Sequence, residues 1–230
     1  MQAVILAAGR GTRMGSLTEK LPKPMLEVAG KTLLEHKFDQ LPEAVTEIIL
    51  VVGYLGNVIR EKFGASYAGK KITYVEQSNI AGGTMDALIT AQPLLKDRFF
   101  VMNGDDIYAR EDMQRCLSYE WAVVVVHKEA VGTASKVIAE NNIVRDIVEK
   151  EHHDRGEGFA NTGLYLLDMR IFNYKPVTKD ADSTEVGLPQ TMVTAVNDVT
   201  IHMIEATTWL PITAPEDLSH AERALASGKK

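Results

Sequence analysis

Residues 3–26 read AVILAAGRGTRMGSLTEKLPKPML, and they join an apolar run to a glycine-rich, basic loop. The run at 4–8 is short and rich in Val, Ile and Leu, which predicts a buried strand. Three glycines and four basic residues follow it: Gly9, Gly11 and Gly15, with Arg10, Arg13, Lys20 and Lys23. Ligands of open α/β sheets bind beyond the carboxyl ends of strands, and glycines let backbone N–H groups approach an anion. The loop therefore predicts a site for a polyanion such as a nucleoside triphosphate.

Two phosphate-binding motifs come close to this loop, and neither fits. A Walker A loop needs a lysine followed by Ser or Thr after its second glycine, and the sequence has none there. A dinucleotide fingerprint reads G-x-G-x-x-G, whereas Gly9, Gly11 and Gly15 give G-x-G-x-x-x-G. The fingerprint also needs an acidic residue at the end of the second strand, which here ends at residues 53–54, Gly-Tyr. A solvated basic loop without a ligand is the alternative interpretation.

The composition is that of an ordinary globular protein. The 230 residues are 45% hydrophobic and 24% charged, with a formal net charge of −6, which argues against a nucleic-acid-binding protein. An anionic ligand must then be held by local positive charge. The single cysteine, Cys116, excludes an internal disulfide and fits a reducing cytoplasm. No apolar run approaches the ~20 residues of a membrane span, and the first residues do not resemble a signal peptide.

Strands and helices alternate along the first half. Strands are predicted at 47–53, 72–75 and 99–102, and helices at 32–41, 57–63 and 84–95. Asn57 is the expected N-cap of the second helix, and Pro93 should end or bend the third. This alternation predicts a parallel sheet with helices on both faces.

The second half has a different pattern. It predicts a strand at 121–128, a hairpin of 135–140 with 143–149 about Asn141 and Asn142, a strand at 159–168, a helix at 185–196, a strand at 199–205 and a helix at 215–226. The whole is predicted to be an α/β protein, a three-layer, Rossmann-like fold with a mixed, mainly parallel sheet and helices on both faces. No hexapeptide repeat is present in the 230 residues, so no β-helix is expected within them.

Five segments together resemble the sugar-1-phosphate nucleotidylyltransferases. The loop carries LAAG, GTRM and PKPML, and EQSNIAGGTMDAL, NGDD, IVEK and NTGLY follow in the family's order. The uridylyl- and thymidylyltransferases that activate hexose-1-phosphates are the most similar members. The resemblance implies transfer of a nucleotidyl group from UTP or dTTP to a sugar-1-phosphate, giving an NDP-sugar and pyrophosphate. It also implies one nucleotidyltransferase domain over 1–230, with 1–110 binding the nucleotide and 111–230 the sugar phosphate.

The resemblance also implies roles on the nucleotide side. Arg13 matches a residue at the departing phosphates, and Lys23 matches the lysine at the α-phosphate, with the backbone amides of Gly9, Gly11 and Thr12 completing the phosphate cradle. Ala8 and Gly9 match residues whose backbone contacts the pyrimidine. Gln77 matches a glutamine that reads the base, and its amide offers both a donor and an acceptor to uracil or thymine. Gly83 and Thr84 match a pair beside the base, although Gly82 fits the expected spacing better.

Asp105, in NGDD, matches the family's aspartate for Mg²⁺, a cation that takes one or two carboxylates plus phosphate oxygens and waters. Asp106 is then expected to point away from the cleft, and a capping pair for a helix near Glu111 is the alternative for both acids. Relatives carry a second metal aspartate where this chain has Pro211. Asp217 is expected in the first turn of the last helix instead.

Glu149 and Lys150 match residues that bind the sugar and its phosphate, and Asn161 and Gly163 match a pair lining the sugar pocket. The family's Tyr-Gly before the hairpin is replaced by residues 134–135, Ala-Ser, which leaves the sugar's identity open. His152 and His153 lie next to Asp154, but consecutive residues of an extended chain point to opposite sides, which favours a loop over a metal site.

Two alternatives stay open beside this hypothesis. One is a CTP-dependent cytidylyltransferase for a non-sugar phosphate on a similar fold. The other is a nucleotide-binding regulatory protein without turnover, which the proline at 211 favours. The partners expected are an NTP and a sugar-1-phosphate, with no nucleic acid and no membrane, and a homo-oligomer is left open.

Overall fold

The structure is a computed structural model that describes residues 1–132, 134–149, 154–180 and 182–227. Its helices are α1 Leu33–Gln40, α2 Gly56–Phe63, α3 Gly83–Ala91, α4 Arg110–Cys116, α5 Leu188–Val193 and α6 Pro215–Ala226. Its strands are β1 Gln2–Ala7, β2 Glu27–Val28, β3 Lys31–Thr32, β4 Glu47–Val52, β5 Ser66–Tyr67, β6 Lys70–Glu76, β7 Arg98–Asn103, β8 Asp106–Tyr108, β9 Trp121–Lys128, β10 Lys136–Glu140, β11 Ile143–Val148, β12 Gly158–Asp168, β13 Val177–Thr178, β14 Val186–Gly187, β15 Ile201–Glu205 and β16 Trp209–Pro211.

A ten-stranded sheet forms the centre, in the order β10-β11-β15-β9-β12-β7-β1-β4-β6-β5. In its first half, β1 pairs in parallel with β4 and β7, and β4 pairs in parallel with β6. Val4 thus lies between Ile49 and Val101. These buried central strands read as continuous apolar runs, as parallel strands covered on both faces do. Their carboxyl ends lie at one edge, which the loop after β1 reaches.

The second half of the sheet pairs differently. β12 runs antiparallel to both β7 and β9, so it joins the two halves, and β10 and β11 form an antiparallel hairpin beside it. Only β9 and β15 are a parallel pair among the described strands of this half. The predicted mainly parallel pairing therefore holds in the first half, and the sheet as a whole is mixed.

Helices pack on both faces of the sheet because alternate strand residues point to opposite sides. Val4 belongs to a buried cluster with Met85 and Leu88 of α3 and with Leu188 of α5. Its neighbour Ile5 belongs to the cluster on the other face, which includes residues of α1, α2 and α4: Leu34, Phe38, Ile59 and Met113. The two apolar faces fix the sheet, and the site occupies its carboxyl edge. None of the helices in the described part of the chain is long and apolar enough to cross a membrane.

Three local predictions meet different outcomes. Helix α2 begins at Gly56 after Leu55, whose φ is +52° and whose side chain makes no capping bond, so Asn57 is not the N-cap. The helix predicted over 185–196 is the short strand β14 followed by α5, because Pro189 occupies the first turn of a helix that ends at Val193. Helix α3 ends at Ala91, and Pro93 lies in the short 3₁₀ turn that follows, as the proline predicted.

Candidate active site

A cleft of about 680 Å³ opens at the carboxyl edge of β1 and β7 and continues along β12. It is lined by nearly all of the described residues that the sequence assigns to a site: Ala8, Gly9, Gly11, Thr12, Arg13, Lys23, Gln77, Gly83, Thr84, Asp105, Glu149, Asn161 and Gly163. Lys150, His152 and His153 lie outside the described residues. Gly82 does not line the cleft, so Gly83 is the glycine that faces it.

The loop after β1 is shaped by Gly11. Its φ of +64° lies in the left-handed region, and a Cβ there would stand 2.9 Å from the Cβ of Lys23. Thr18 donates its hydroxyl to the Gly11 carbonyl at 3.1 Å, which closes the turn. Glycine at this position therefore allows the basic loop to fold back onto Lys23. Thr12 and Arg13 remain exposed and reach the rim of the cleft.

Lys23 and Asp105 form an ion pair inside the cleft. Lys23 Nζ donates to Asp105 Oδ2 at 2.6 Å, and the two side chains are 8% and 35% exposed. The short 3₁₀ turn that begins at Lys23 is framed by Pro22 and Pro24, which fix the backbone on either side. The low exposure of its side chain shows that Lys23 is not an ordinary surface lysine. Lys23 is a largely buried cation whose partner is still open to ligands.

Beneath this pair lies a second pair of charges, Asp106 and Lys37, both buried. Lys37 Nζ donates to the Asp106 carbonyl, and the Tyr108 hydroxyl lies 3.0 Å from Asp106 Oδ2. Burial, with Asp105 nearby, raises the pKa of Asp106 to about 7. Burial lowers the pKa of Lys37 to about 8.

The two adjacent acids therefore have different partners. Asp105 pairs with Lys23, and Asp106 also lines the cleft while remaining buried, so the prediction that it points away is met only in part. The alternative of a helix-capping pair is wrong, because α4 begins after Ala109 without a side-chain cap.

One wall of the cleft is built by the end of β6 and the start of α3. Gly83 has a φ of +88°, and a Cβ there would stand 2.5 Å from the Val186 carbonyl, so the helix start lies directly against β14. Gln77 is 4% exposed and donates its Nε2 to Asp86 Oδ2 at 2.8 Å and to the Gly83 carbonyl at 3.3 Å. Both hydrogens of this amide are therefore engaged within the protein.

The opposite wall holds Glu149. Its Oε1 accepts from Ser135 Oγ at 2.8 Å and from Gln190 Nε2 at 2.5 Å. Asn161 donates its Nδ2 to the Tyr165 hydroxyl at 2.7 Å and accepts from the Gly163 N–H at 3.0 Å. The side chains of this wall are therefore held by neutral hydrogen-bond donors. Asp154, which follows the two histidines outside the described residues, pairs with Lys136 at 2.9 Å.

Pro211 lines the cleft, opposite Asp106 in the β8–β16 ladder. Asp217, six residues further along the chain, accepts from the Thr213 N–H at 2.7 Å and from the Ala214 N–H at 2.8 Å. It caps α6 from the first turn, where the sequence predicted it. In the described part of the chain, no group of three or more His, Cys, Asp or Glu side chains is placed to hold a metal ion.

Several cleft residues were missed by sequence reasoning. Asn103 packs against Gly163, where a Cβ would stand 2.0 Å from Asn103 Nδ2, and Gln190 donates to Glu149. Asp86, which accepts from Gln77, was also missed, although it lies behind the cleft lining. Lys128 stacks over the Trp209 ring at 4.8 Å on the cleft wall. Asn103 directly precedes the G-D motif, a signal that was available, whereas nothing near Gln190 in sequence pointed to Glu149.

Comparison with known proteins assigns the chain to a family. The sequence matches the family described as Nucleotidyl transferase over residues 2–228, and the chain belongs to it. A relative from Methanocaldococcus jannaschii, "Bifunctional protein GlmU", is 32% identical over 98% of this chain and 54% of its own length. The chain thus spans about half of that relative. A solved UDP-glucose pyrophosphorylase, complexed with UDP-glucose, has a TM-score of 0.83 and 21% identity over 98% of each chain, a likeness of fold.

A second relative matches over nearly its whole length. It is the "UTP--glucose-1-phosphate uridylyltransferase AglF" of Haloferax volcanii, 31% identical over 98% of this chain and 96% of its own. The resemblance noted in the five sequence segments is therefore confirmed as family membership. The Rossmann-like α/β architecture expected from the alternation of strands and helices is also shared with the solved structure.

Proposed function

We propose that this protein transfers a nucleotidyl group from a nucleoside triphosphate, with UTP or dTTP favoured, to a sugar-1-phosphate, releasing pyrophosphate. The observation that carries the proposal is the position of the Lys23–Asp105 pair. It lies in one cleft between the glycine-rich loop and the wall that holds Glu149 and Asn161. The Haloferax volcanii relative, which bears the name of such an enzyme, supports the same reaction class.

In this reaction an oxygen of the sugar phosphate attacks the α-phosphorus of the nucleotide. The bond from the α-phosphorus to the bridging oxygen breaks, and that oxygen leaves with pyrophosphate. Two polyanions must meet, so positioning and charge neutralisation supply most of the catalysis. Lys23 provides a buried cation near the reacting phosphorus. Arg13 carries a planar guanidinium group with several donors, which suits it to bind the departing phosphates. The N–H groups of Gly9, Gly11 and Thr12 complete the cradle.

Mg²⁺ fits this site through Asp105. One Asp105 oxygen is held by Lys23, and the carboxylate remains partly exposed to the cleft. Mg²⁺ is bound by one or two carboxylates together with substrate phosphates and waters, so one protein ligand suffices. When bound, the ion would neutralise charge on the triphosphate. With Pro211 in the place of a second carboxylate, Asp105 is the ligand we assign.

The opposite wall is assigned to the sugar phosphate. Glu149 keeps one carboxylate oxygen outside the bonds from Ser135 and Gln190, and an acceptor of this kind suits sugar hydroxyls. Asn161 and Gly163 line the cleft on this wall. We assign the phosphate of the sugar to Lys150 from the sequence motif alone. This division, residues 1–110 for the nucleotide and 111–230 for the sugar phosphate, belongs to the proposal, as does a cytoplasmic location.

A pyrophosphate-release assay tests the proposal. UTP, dTTP, CTP, ATP and GTP are each combined with several sugar-1-phosphates and, separately, with phosphocholine and inositol phosphate. Release that requires both UTP or dTTP and a sugar-1-phosphate supports it. Release only with CTP and a non-sugar phosphate would replace it with the cytidylyltransferase alternative. Nucleotide binding without release in every combination would favour a regulatory protein.

A further inference from the structure

The amide of Gln77 is held in one orientation by Asp86, a residue to which the family resemblance assigns no role. A carboxylate has only acceptors, so the nitrogen of the amide must face Asp86 Oδ2, 2.8 Å away. The second hydrogen of that nitrogen points to the Gly83 carbonyl at 3.3 Å. The remaining atom, Oε1, receives no hydrogen bond from the described residues, and Gln77 lines the cleft. Gln77 therefore presents an acceptor and no donor.

Asp86 is itself fixed by its surroundings. It lies in the first turn of α3, and its carboxylate lies over Gly82, where a Cβ would stand 2.4 Å from Oδ2. A side chain at position 82 would displace the carboxylate. Gly82, which fitted the family spacing but does not line the cleft, thus makes room for the group that orients Gln77.

We infer that Asp86 is a positioning residue that makes Gln77 a one-sided acceptor and so selects nucleobases carrying a ring N–H. This inference rests on the proposed function, in which Gln77 faces the base. It corrects the expectation that the amide offers both a donor and an acceptor. Uracil and thymine carry N3–H, and guanine carries N1–H, whereas the corresponding ring nitrogens of cytosine and adenine are acceptors and would face Oε1 unpaired. A buried polar group left unpaired is a strong source of discrimination.

Binding and turnover with UTP, CTP and N3-methyl-UTP test the inference. N3-methyl-UTP has the shape of UTP without the N3–H donor, so the unmodified protein should bind it at least ~10-fold more weakly than UTP, measured by calorimetry. CTP should be disfavoured to a similar degree. Equal affinity of the unmodified protein for UTP and N3-methyl-UTP would contradict the proposed orientation of the Gln77 amide.

Asp86→Asn is nearly isosteric and can donate as well as accept, so the Gln77 amide can rotate and turn its nitrogen to the base. The ratio of UTP to CTP affinity should fall by about 10-fold, and the ratio of kcat/KM values should follow. A merely structural loss would weaken both nucleotides together and leave the ratio unchanged, which would overturn the inference. Glu61→Gln, on the exposed face of α2, is the control for loss of one negative charge.

The double variant that combines Gln77→Glu with Asp86→Asn supplies the decisive readout. Gln77→Glu alone sets two carboxylates against each other. In the double variant the new amide at position 86 can donate to the new carboxylate at position 77, which returns an acceptor to the cleft. Partial recovery of UTP preference relative to Gln77→Glu would support the coupling, whereas additive losses would contradict it. If the parent shows this base preference in binding but no turnover, the proposed function fails and the inference stands.

Discussion

The two walls of the cleft hold their charged groups in different ways. On the wall that we assign to the nucleotide, here called the nucleotide wall, Lys23 and Asp105 are paired with each other at 2.6 Å, and the buried residues Asp106 and Lys37 lie below them. On the other side, Glu149 is held by the neutral donors of Ser135 and Gln190. On the first wall, oppositely charged side chains contact each other. On the second wall, one carboxylate accepts hydrogen bonds from a hydroxyl group and an amide group.

This difference has a consequence for function. A cation that must leave one anion for another responds to charge that develops during the reaction, so Lys23 is suited to the transition state. The Glu149 carboxylate, anchored through Oε1 by Ser135 and Gln190, would offer the proposed sugar phosphate the same contact before and during the reaction. The nucleotide wall should therefore govern kcat and the other wall KM for the sugar phosphate.

The largest effect is expected from Asp105→Asn. It removes the carboxylate assigned to Mg²⁺ and leaves Lys23 without its anion, so activity should fall by about 10³-fold, the upper end for loss of one electrostatic group. Mg²⁺ titrations of activity check this. Pro211→Asp should lower the Mg²⁺ concentration needed for half-maximal rate, provided that the backbone of β16 keeps its conformation without the ring.

Asp217→Asn is the matched control for the metal site. Its carboxylate accepts two backbone N–H groups at the start of α6, so its loss should reduce stability and leave the Mg²⁺ requirement unchanged. If Asp105→Asn stayed active while Asp217→Asn lost activity, the metal would belong to the C-terminal segment.

Lys23→Ala should lower kcat by about 10²-fold and change KM for the triphosphate much less, because the charge is needed most in the transition state. Steady-state kinetics against both substrates measure the division. Lys20→Ala, in the same loop but exposed and outside the cleft, is the control and should match the parent. Unchanged kcat in folded Lys23→Ala would remove the predicted contrast between the two walls.

The two walls also differ in how far the sequence predicted them. The apolar run before Gly9 predicts a buried strand, and the loops after parallel strands lie at the carboxyl edge of the sheet, so motif and fold class assigned both Lys23 and Asp105 to that edge, although not their pairing. The Gln190–Glu149 bond joins residues 41 positions apart, through a helix whose start was misjudged. Pairing of distant side chains depends on packing that local pattern does not contain.

The same limit applies to Asp106 and Lys37. Lys37 lies in a predicted helix at a position that also suits solvent, and only the packed structure buries it against β8. The orientation of Gln77 is a third case. Its position at a strand end was readable from sequence, but the identity of its partner, nine residues along the chain, depends on how α3 lies against β6.

Glu149→Ala should raise KM for the sugar-1-phosphate by about 10-fold, the cost of one lost hydrogen bond to a charged group, and leave KM for the nucleotide nearly unchanged. Gln190→Ala should produce a smaller rise, since it removes only one of the two anchors. Glu140→Gln, an exposed carboxylate at the end of β10 in the β10–β11 hairpin that precedes Glu149, is the control and should leave both KM values unchanged. A selective loss of nucleotide affinity in Glu149→Ala would contradict the assignment of this wall.

The smallest effect concerns stability, and it tests the buried charges of the nucleotide wall. The pKa of Asp106 is raised from 3.8 to about 7, so between these values the folded protein binds more protons than the unfolded chain, and this group's contribution to stability falls as pH rises. Asp106→Asn removes that contribution and leaves Lys37 as a buried cation without its nearby anion, which lowers the Lys37 pKa further and makes the variant's stability rise with pH. Both changes have the same sign.

The free energy of unfolding of Asp106→Asn relative to the parent should therefore increase by about 1 kcal/mol between about pH 5 and about pH 8 in urea titrations, a fraction of the full shift because Asp106 and Lys37 offset each other. Asp97→Asn, the same substitution at an exposed carboxylate, controls for the loss of charge. A relative stability that stays constant or falls over this range would contradict the raised pKa of Asp106, and the nucleotide wall would then hold a buried carboxylate that stays ionised over this range.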